Sequence, residues 1–193
     1  MVDRVRIQRL VHQLLDAIGE DPQREGVLET PRRVAEMYGE LLTYGLADSG
    51  EHLRATLNTD HDEAVVVRDI DFTSLCEHHL VPFVGLAHVA YLPGSDGLHA
   101  GPSKIARLVE VYARRLQVQE RMTSQIADAL EIGLHPNGSI VVIEAEHFCM
   151  SMRGVKKRDS STVTSAVRGI FRVDSTSRFE LLQIMNQRRT SGR

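Results

Sequence analysis

Ser74-Leu75-Cys76-Glu77-His78-His79-Leu80-Val81-Pro82-Phe83 puts a thiol, a carboxylate and two imidazoles at four consecutive positions of an otherwise apolar stretch. The flanks decide the fold around it. Residues 65–72 (Val-Val-Val-Arg-Asp-Ile-Asp-Phe) are short and rich in β-branched side chains, so they read as a strand delivering the chain to Cys76, and residues 83–92 read as a second strand leaving it. Cys and His this close together are soft and borderline donors, a set that suits zinc in tetrahedral geometry. Zinc needs more donors than one turn supplies. The other cysteine of the chain is Cys149, so the fold has to bring the two stretches together.

The segment that would do so is 139–153. A period of two along it predicts Val141, Ile143, Ala145, His147, Cys149, Ser151 and Arg153 on one sheet face, with Glu144, Glu146, Met150 and Met152 on the other. Between the two stretches, Ser103 is placed to cap a helix carrying Ile105, Leu108, Val109 and Tyr112, with Lys104 and Arg107 in its first turns. A second helical pattern runs from Val118 through Met122, Ile126 and Leu130 to Gly133, and Pro136-Asn137-Gly138 turns the chain back. Upstream, Ile7, Leu10, Val11, Leu14, Leu15 and Ile18 form a helical stripe ended by Gly19, and Thr30 reads as the N-cap of a second helix with Pro31 in its first turn and Val34, Tyr38, Leu41 and Leu42 as its stripe. The polar segment 47–63 separates this helical region, 1–60, from a second region, 61–193. A last strand over 162–173 leads to a closing helix with Phe179, Leu182 and Met185 inward and a frayed arginine-rich end. This order predicts an α+β fold, a four-stranded antiparallel sheet with helices gathered on one face and open edges that favour oligomerisation.

Composition bounds the function. At 193 residues, 42% hydrophobic and 25% charged, the chain has an ordinary globular make-up and can bury a core without disulfides. No apolar run reaches membrane-spanning length and no secretory segment opens the sequence, so a cytoplasmic protein is expected, with both thiols free for metal. A formal net charge of −3 argues against nucleic acid while leaving room for a local basic pocket.

Cys76, His79 and Cys149 would give two thiolates and one imidazole, with a fourth position open for water as in catalytic zinc sites. Two ordinary buried cysteines remain the alternative, since free Cys is among the most buried residue types. The imidazoles favour the metal: His78 beside a ligand, and His147 on the strand face of Cys149, are placed to move protons. Glu77 reads as a carboxylate orienting an imidazole from behind. Glu120 alone reads as a solvated carboxylate at a helix start. Lys104, Arg107 and Arg153 with the Ser103 amide have the makings of an anion site.

The motifs Asp21-Pro22-Gln23-Arg24-Glu25-Gly26, Thr30-Pro31-Arg32-Arg33-Val34-Ala35, Cys76-Glu77-His78-His79, Ser103-Lys104-Ile105-Ala106-Arg107, Gln117-Val118-Gln119-Glu120-Arg121, Cys149-Met150-Ser151-Met152-Arg153-Gly154 and Thr162-Val163-Thr164-Ser165 together resemble the GTP cyclohydrolase I family over nearly the whole chain. The resemblance implies a tunnelling fold whose subunits join their sheets into a β-barrel, a homodecamer with active sites between subunits, and GTP as substrate. It also implies zinc held by Cys76, His79 and Cys149; guanine bound by Glu120 with backbone help near Gln119; and the triphosphate bound by Ser103, Lys104, Arg107 and Arg153. His147 and His78 would carry the proton transfers of purine opening, formate release and ribose opening on the way to 7,8-dihydroneopterin triphosphate.

Three positions depart from the family pattern: Leu86 follows Gly85 where lysine is common, Pro102 follows Gly101 where leucine is usual, and His99 is unusual in its loop; the first two are expected near the phosphate side. Two rival readings share the fold. A non-catalytic paralogue would have no need of His78, His147 and Glu120, and a nitrile reductase with a cysteine nucleophile and NADPH would work without metal.

Overall fold

The computed structural model describes residues 2–43, 53, 56–58 and 61–187. Helices α1 (Arg4–Ala17) and α2 (Thr30–Leu41) open the chain. They are followed by β1 (Thr56–Asn58), β2 (Val65–Cys76), β3 (Pro82–Leu92), β4 (Leu98–Ala100), α3 (Pro102–Ala113), β5 (Leu116–Gln117), α4 (Gln119–Leu134) and β6 (Gly138–His147). A helical turn α5 (Phe148–Ser151), β7 (Thr162–Gly169), a 3-10 turn (Ile170–Arg172) and α6 (Ser175–Asn186) complete it. Among the described residues no helix is long and apolar enough to cross a membrane.

The main sheet has the order β5-β2-β3-β6-β7, and β1 pairs separately with β4. Four of its strands are antiparallel as expected; the fifth, β5, is two residues long and runs parallel to β2, pairing Leu75 with Leu116 and Cys76 with Gln117. So short a strand has no periodicity to read. The mixed α+β class holds, and the expectation of helices on one face holds for α3 and α4 only. Those two cover the face carrying Phe72, Phe83, Val89, Tyr91, Val141 and Ile143, with Ile105, Leu108, Met122, Ile126 and Leu130 buried against it. Helix α6 instead packs on the opposite face, where Leu181 and Met185 meet Ala90, Ile140 and Phe171. Each fully buried Leu, Ile or Met contributes about 1.5–3 kcal/mol by leaving water, so both layers are held firmly to the sheet.

Register places the chemistry. Along β2 the pairing with β3 slips between Val67 and Ile70, where Asp69 takes φ +58°. The extra residue reverses the alternation: Val65 and Val67 face the α3/α4 layer before the bulge, and Ile70, Phe72 and Cys76 face it afterwards. Without the bulge Cys76 would point to the α6 side.

Four local expectations are corrected. β6 ends at His147, so Cys149, Met150 and Ser151 lie on a helical turn and do not continue the strand alternation. Helix α3 is capped by Gly101 with Pro102 in its first turn, not by Ser103, because proline, lacking an N–H, suits that turn and moves the start two residues earlier. Helix α2 likewise starts at Thr30 after Glu29, with no side-chain cap. In α6 the buried side chains are Leu181 and Met185, while Phe179 is exposed. Gly19 does end the first helix, at φ +83°, but of that helix's apolar stripe only Leu15 is buried; Leu10, Leu14 and Ile18 are exposed because α1 rests on α2 and not on the sheet. The arginine-rich end and most of 47–60 lie outside the described residues.

Candidate metal centre and active site

Cys76 closes β2 and opens a tight turn. Its amide donates to Val81 O at 2.9 Å, its carbonyl accepts from Leu80 N at 2.8 Å and His79 N at 3.3 Å, and Leu80 takes φ +56°. This fold of the backbone puts His79 Nδ1 3.8 Å from Cys76 Sγ. The helical turn after β6 brings Cys149 in from the other side, and one donor atom each from Cys76, His79 and Cys149 lie within 4.8 Å of one another. A tetrahedral ion with the usual Zn–S and Zn–N lengths holds sulfur and nitrogen about 3.6 Å apart, so the trio fits a metal with slight contraction. Burial and the adjacent Cys76 sulfur push the Cys149 thiol up, with Arg153 pulling the other way. A thiol whose ionisation is held back by burial and a neighbouring sulfur is one that a bound divalent cation relieves. His78 Nδ1 is 3.9 Å from Cys76 Sγ, yet His78 is not part of the converging trio; its side chain is 64% exposed and its Nε2 lies 3.9 Å from Glu77 Oε1. Glu77 in turn is paired with Arg121, and Arg121 Nε donates to Gln117 Oε1 at 3.1 Å, so the carboxylate beside His78 is fixed from behind.

The short parallel strand β5 is what the sequence reading missed, and it assembles the rest. Glu77 N donates to Gln117 O at 3.0 Å, locking the start of α4 beside the Cys76–His79 turn. Gln119 and Glu120 therefore border a cavity of about 210 Å³ together with Cys76, His78, Gln117, Val118, His147, Cys149, Met150 and Thr162. His147, the last residue of β6, stacks flat on Phe83 with ring centres 4.7 Å apart and planes 1° from parallel, and its Nε2 lies 2.7 Å from Gln119 Oε1. Burial holds its imidazole below the ordinary range, and the charge of Glu120 opposes that shift. In the sequence Phe83 stands only as the first residue of the second strand, and it is the register of β3 with β6 that sets it opposite His147.

The predicted anion-binding residues separate. Arg153 is close enough to act on Cys149, whereas Ser103, Lys104 and Arg107 do not border the cavity. Helix α3 is about 18 Å long. Its C-terminal end is the one near Cys76, through Arg115 O, which accepts from Ser74 Oγ at 3.4 Å, and through β5. Its N-terminal end, with Ser103 and Lys104, lies at the far end of that length.

A sequence model described as GTP cyclohydrolase I matches residues 7–186. The chain belongs to the GTP cyclohydrolase I family. GTP cyclohydrolase 1 of Streptococcus thermophilus is 51% identical over 185 residues, covering 96% of this chain and 98% of that protein. The protein of the same name from Mycolicibacterium gilvum is 55% identical over 183 residues, 95% and 91% of the two chains, and that from Thermobifida fusca 53% over 189 residues, 97% and 91%. A likeness to the solved archaeosine synthase QueF-Like in the apo form, with TM-score 0.47 and 13% identity over 57% of this chain and 97% of that one, is too weak to bear on the chemistry.

The three departures from the GTP cyclohydrolase I pattern find places in the fold. Leu86 pairs with Asp71 and Glu144, and the alternation of β3 turns it to the α6 face, away from α3. Pro102 is accommodated in the first turn of α3. His99 is buried at 8% exposure, and its Nε2 donates to His61 O at 2.8 Å, a satisfied structural histidine.

Proposed function

We propose that this chain converts GTP to 7,8-dihydroneopterin triphosphate with release of formate, the first step of folate- or biopterin-type pteridine synthesis, using zinc held by Cys76, His79 and Cys149. The observation that carries the reading is the convergence of the Cys76, His79 and Cys149 donors, two of which, Cys76 and Cys149, border one cavity with His147, Gln119 and Glu120 in a chain of this family.

Cys76, His79 and Cys149 would hold the zinc ion, which would supply Lewis acidity for the attack of water on C8 of the purine. His147, neutral at pH 7 because burial lowers its affinity for protons, takes a proton from the attacking water and passes it to the imidazole-ring nitrogen that leaves. Glu120, exposed at the cavity wall, pairs with the guanine edge, whose ring N–H and amino group are donors a carboxylate can accept together. The Gln119 main chain faces the same base. His78, exposed and backed by Glu77, is free to serve the ribose-opening proton transfer.

Arg153 takes part of the triphosphate. Ser103, Lys104 and Arg107 take the rest in the site of a neighbouring copy, which accounts for their placement at the far end of α3. The exposed apolar stripe of α1, Leu10, Leu14 and Ile18, supports burial in a homo-oligomer, here a decamer with barrel-joined sheets. The compartment is the cytoplasm, where both thiols stay reduced.

Incubation with GTP, following formate and the pteridine chromophore before and after chelation, tests the reading: product should form and stop on metal removal. No product at any metal loading would favour a non-catalytic paralogue. His147→Ala with metal content retained should slow formate release by about 10²–10⁴-fold. Unchanged turnover removes His147 from the mechanism.

A further inference from the structure

Gln119 is 1% exposed, and its side chain is committed on both ends. Its Nε2 lies 3.0 Å from Ile143 O, 2.9 Å from Thr162 O and 3.1 Å from Thr164 Oγ1. Two of these are carbonyl oxygens, which only accept, so the amide nitrogen must face them; the flipped amide would set oxygen against oxygen. Oε1 is therefore the atom 2.7 Å from His147 Nε2. An amide oxygen has no hydrogen to give, so His147 must carry its own on Nε2, which leaves the lone pair of the neutral ring on Nδ1.

The hydroxyls behind Gln119 are ordered the same way. Thr123 Oγ1 lies 2.7 Å from Gln119 O and donates to it. With its one hydrogen used, Thr123 accepts from Thr164 Oγ1 at 2.6 Å, and Thr164 accepts from Gln119 Nε2. Hydrogens are thus donated in one sense, from the His147 ring to Gln119, from Gln119 to Thr164 on β7 and from Thr164 to Thr123 on α4, while the flat stack on Phe83 fixes the ring plane.

We propose that the Gln119 side chain, anchored by the Thr164–Thr123 pair, is a positioning residue that holds His147 in the Nε2–H tautomer and so makes Nδ1 the nitrogen that takes and returns the proton at the substrate. The kinetic consequence rests on the role given to His147 above; the tautomer itself does not.

Solid-state 15N NMR of metal-loaded protein labelled at histidine, with His147→Ala identifying the resonance, reads the tautomer directly. The wild type should show His147 protonated at Nε2. Gln119→Met keeps the chain length and the main chain but removes the acceptor; it should give a mixed tautomer and a kcat lower by about 10- to 100-fold, with KM for GTP moved far less. A wild-type ring protonated at Nδ1, or a Gln119→Met variant with the wild-type tautomer, overturns the proposal. If Gln119→Met does not fold, Thr164→Val and Thr164→Ser decide: loss of tautomer purity and of kcat with Val, restored by Ser, supports it, and equal behaviour of the two overturns it. If His147→Ala turns over GTP normally, the proton-carrier reading fails while the Nε2–H signature still stands or falls on its own.

Discussion

The turn after β2 and the turn after β6 each deliver one cysteine to the same point, and they do it by opposite devices. The β6 side is regular: ten residues alternate without interruption from Gly138 to His147, so His147 reaches the α3/α4 face by periodicity, and only then does the strand end and a helical turn swing Cys149 inward. The β2 side depends on an irregularity. Cys76 reaches the same face because the bulge at Asp69 reverses the alternation seven residues earlier in the strand. One half of the site is thus set by where a strand stops, the other by an extra residue within a strand.

The largest effect should come from removing that extra residue. Deleting Asp69 restores unbroken alternation along β2, and residues 70–76 must either turn Cys76 to the α6 side or break the pairing with β3. Bound zinc per chain should fall to background, and activity by about a thousandfold or more, with strand content retained by circular dichroism. Asp69→Gly is the control. Glycine adopts φ +58° without strain, so the bulge and the metal content should survive. A deletion that still binds one zinc per chain would show that Cys76 is placed by its own turn and not by the bulge.

The same contrast explains what the sequence disclosed. The Cys76–His79 cluster, the face of His147 and the α3 and α4 stripes were legible because residue type and a period of two or 3.6 carry them. The bulge was not, since Val65 to Phe72 is β-branched on both sides of it and either phase satisfies the pattern. Cys149 was assigned to the right site by the wrong route: nothing in Phe148-Cys149-Met150-Ser151 marks a strand ending one residue earlier. The two-residue strand β5, which puts Gln119 and Glu120 beside Cys76 and Cys149, is below the length at which any pattern exists. The helix on the second face was misplaced because α6 has apolar residues on more than one side, and Phe179 competed with Leu181 for the inward position.

A smaller effect sharpens the difference between the faces. On the α6 side His88 keeps only 13% of its side chain exposed, and burial lowers its affinity for protons, opposed by Asp69 and Glu144 and assisted by Arg68. Unfolded, the imidazole returns to about 6.5. Above that pH both states are neutral and the group costs nothing. As pH falls below it, the unfolded chain takes up a proton that the folded chain resists, so stability is lost from about 6.5 down to the folded value. His147 adds a loss of the same sign. Urea unfolding from pH 7.5 to 5 should show His88→Gln with a shallower loss than the parent; equal slopes would assign the acid sensitivity to the α3/α4 face alone.

The smallest effect concerns the ion pair that ties α4 to β7 at the surface. Arg168 Nε donates to Asp128 Oδ1 at 2.8 Å, but the Asp128 side chain is 57% exposed and that of Arg168 24%, so water and salt screen most of the attraction. Such pairs contribute about 0–1 kcal/mol. Asp128→Asn should therefore shift the urea midpoint barely, by about 0.5 kcal/mol in stability. Formate release should stay unchanged, because neither turn leans on that pair: Cys76 and His79 are set by bonds to Val81 O and Cys76 O, and Cys149 by a helical turn closed from Met152 N to Phe148 O. A marked loss of activity in Asp128→Asn, without loss of metal, would mean that the α4–β7 contact steers Gln119 and Thr164, and that the regular half of the site is as dependent on remote packing as the bulged one.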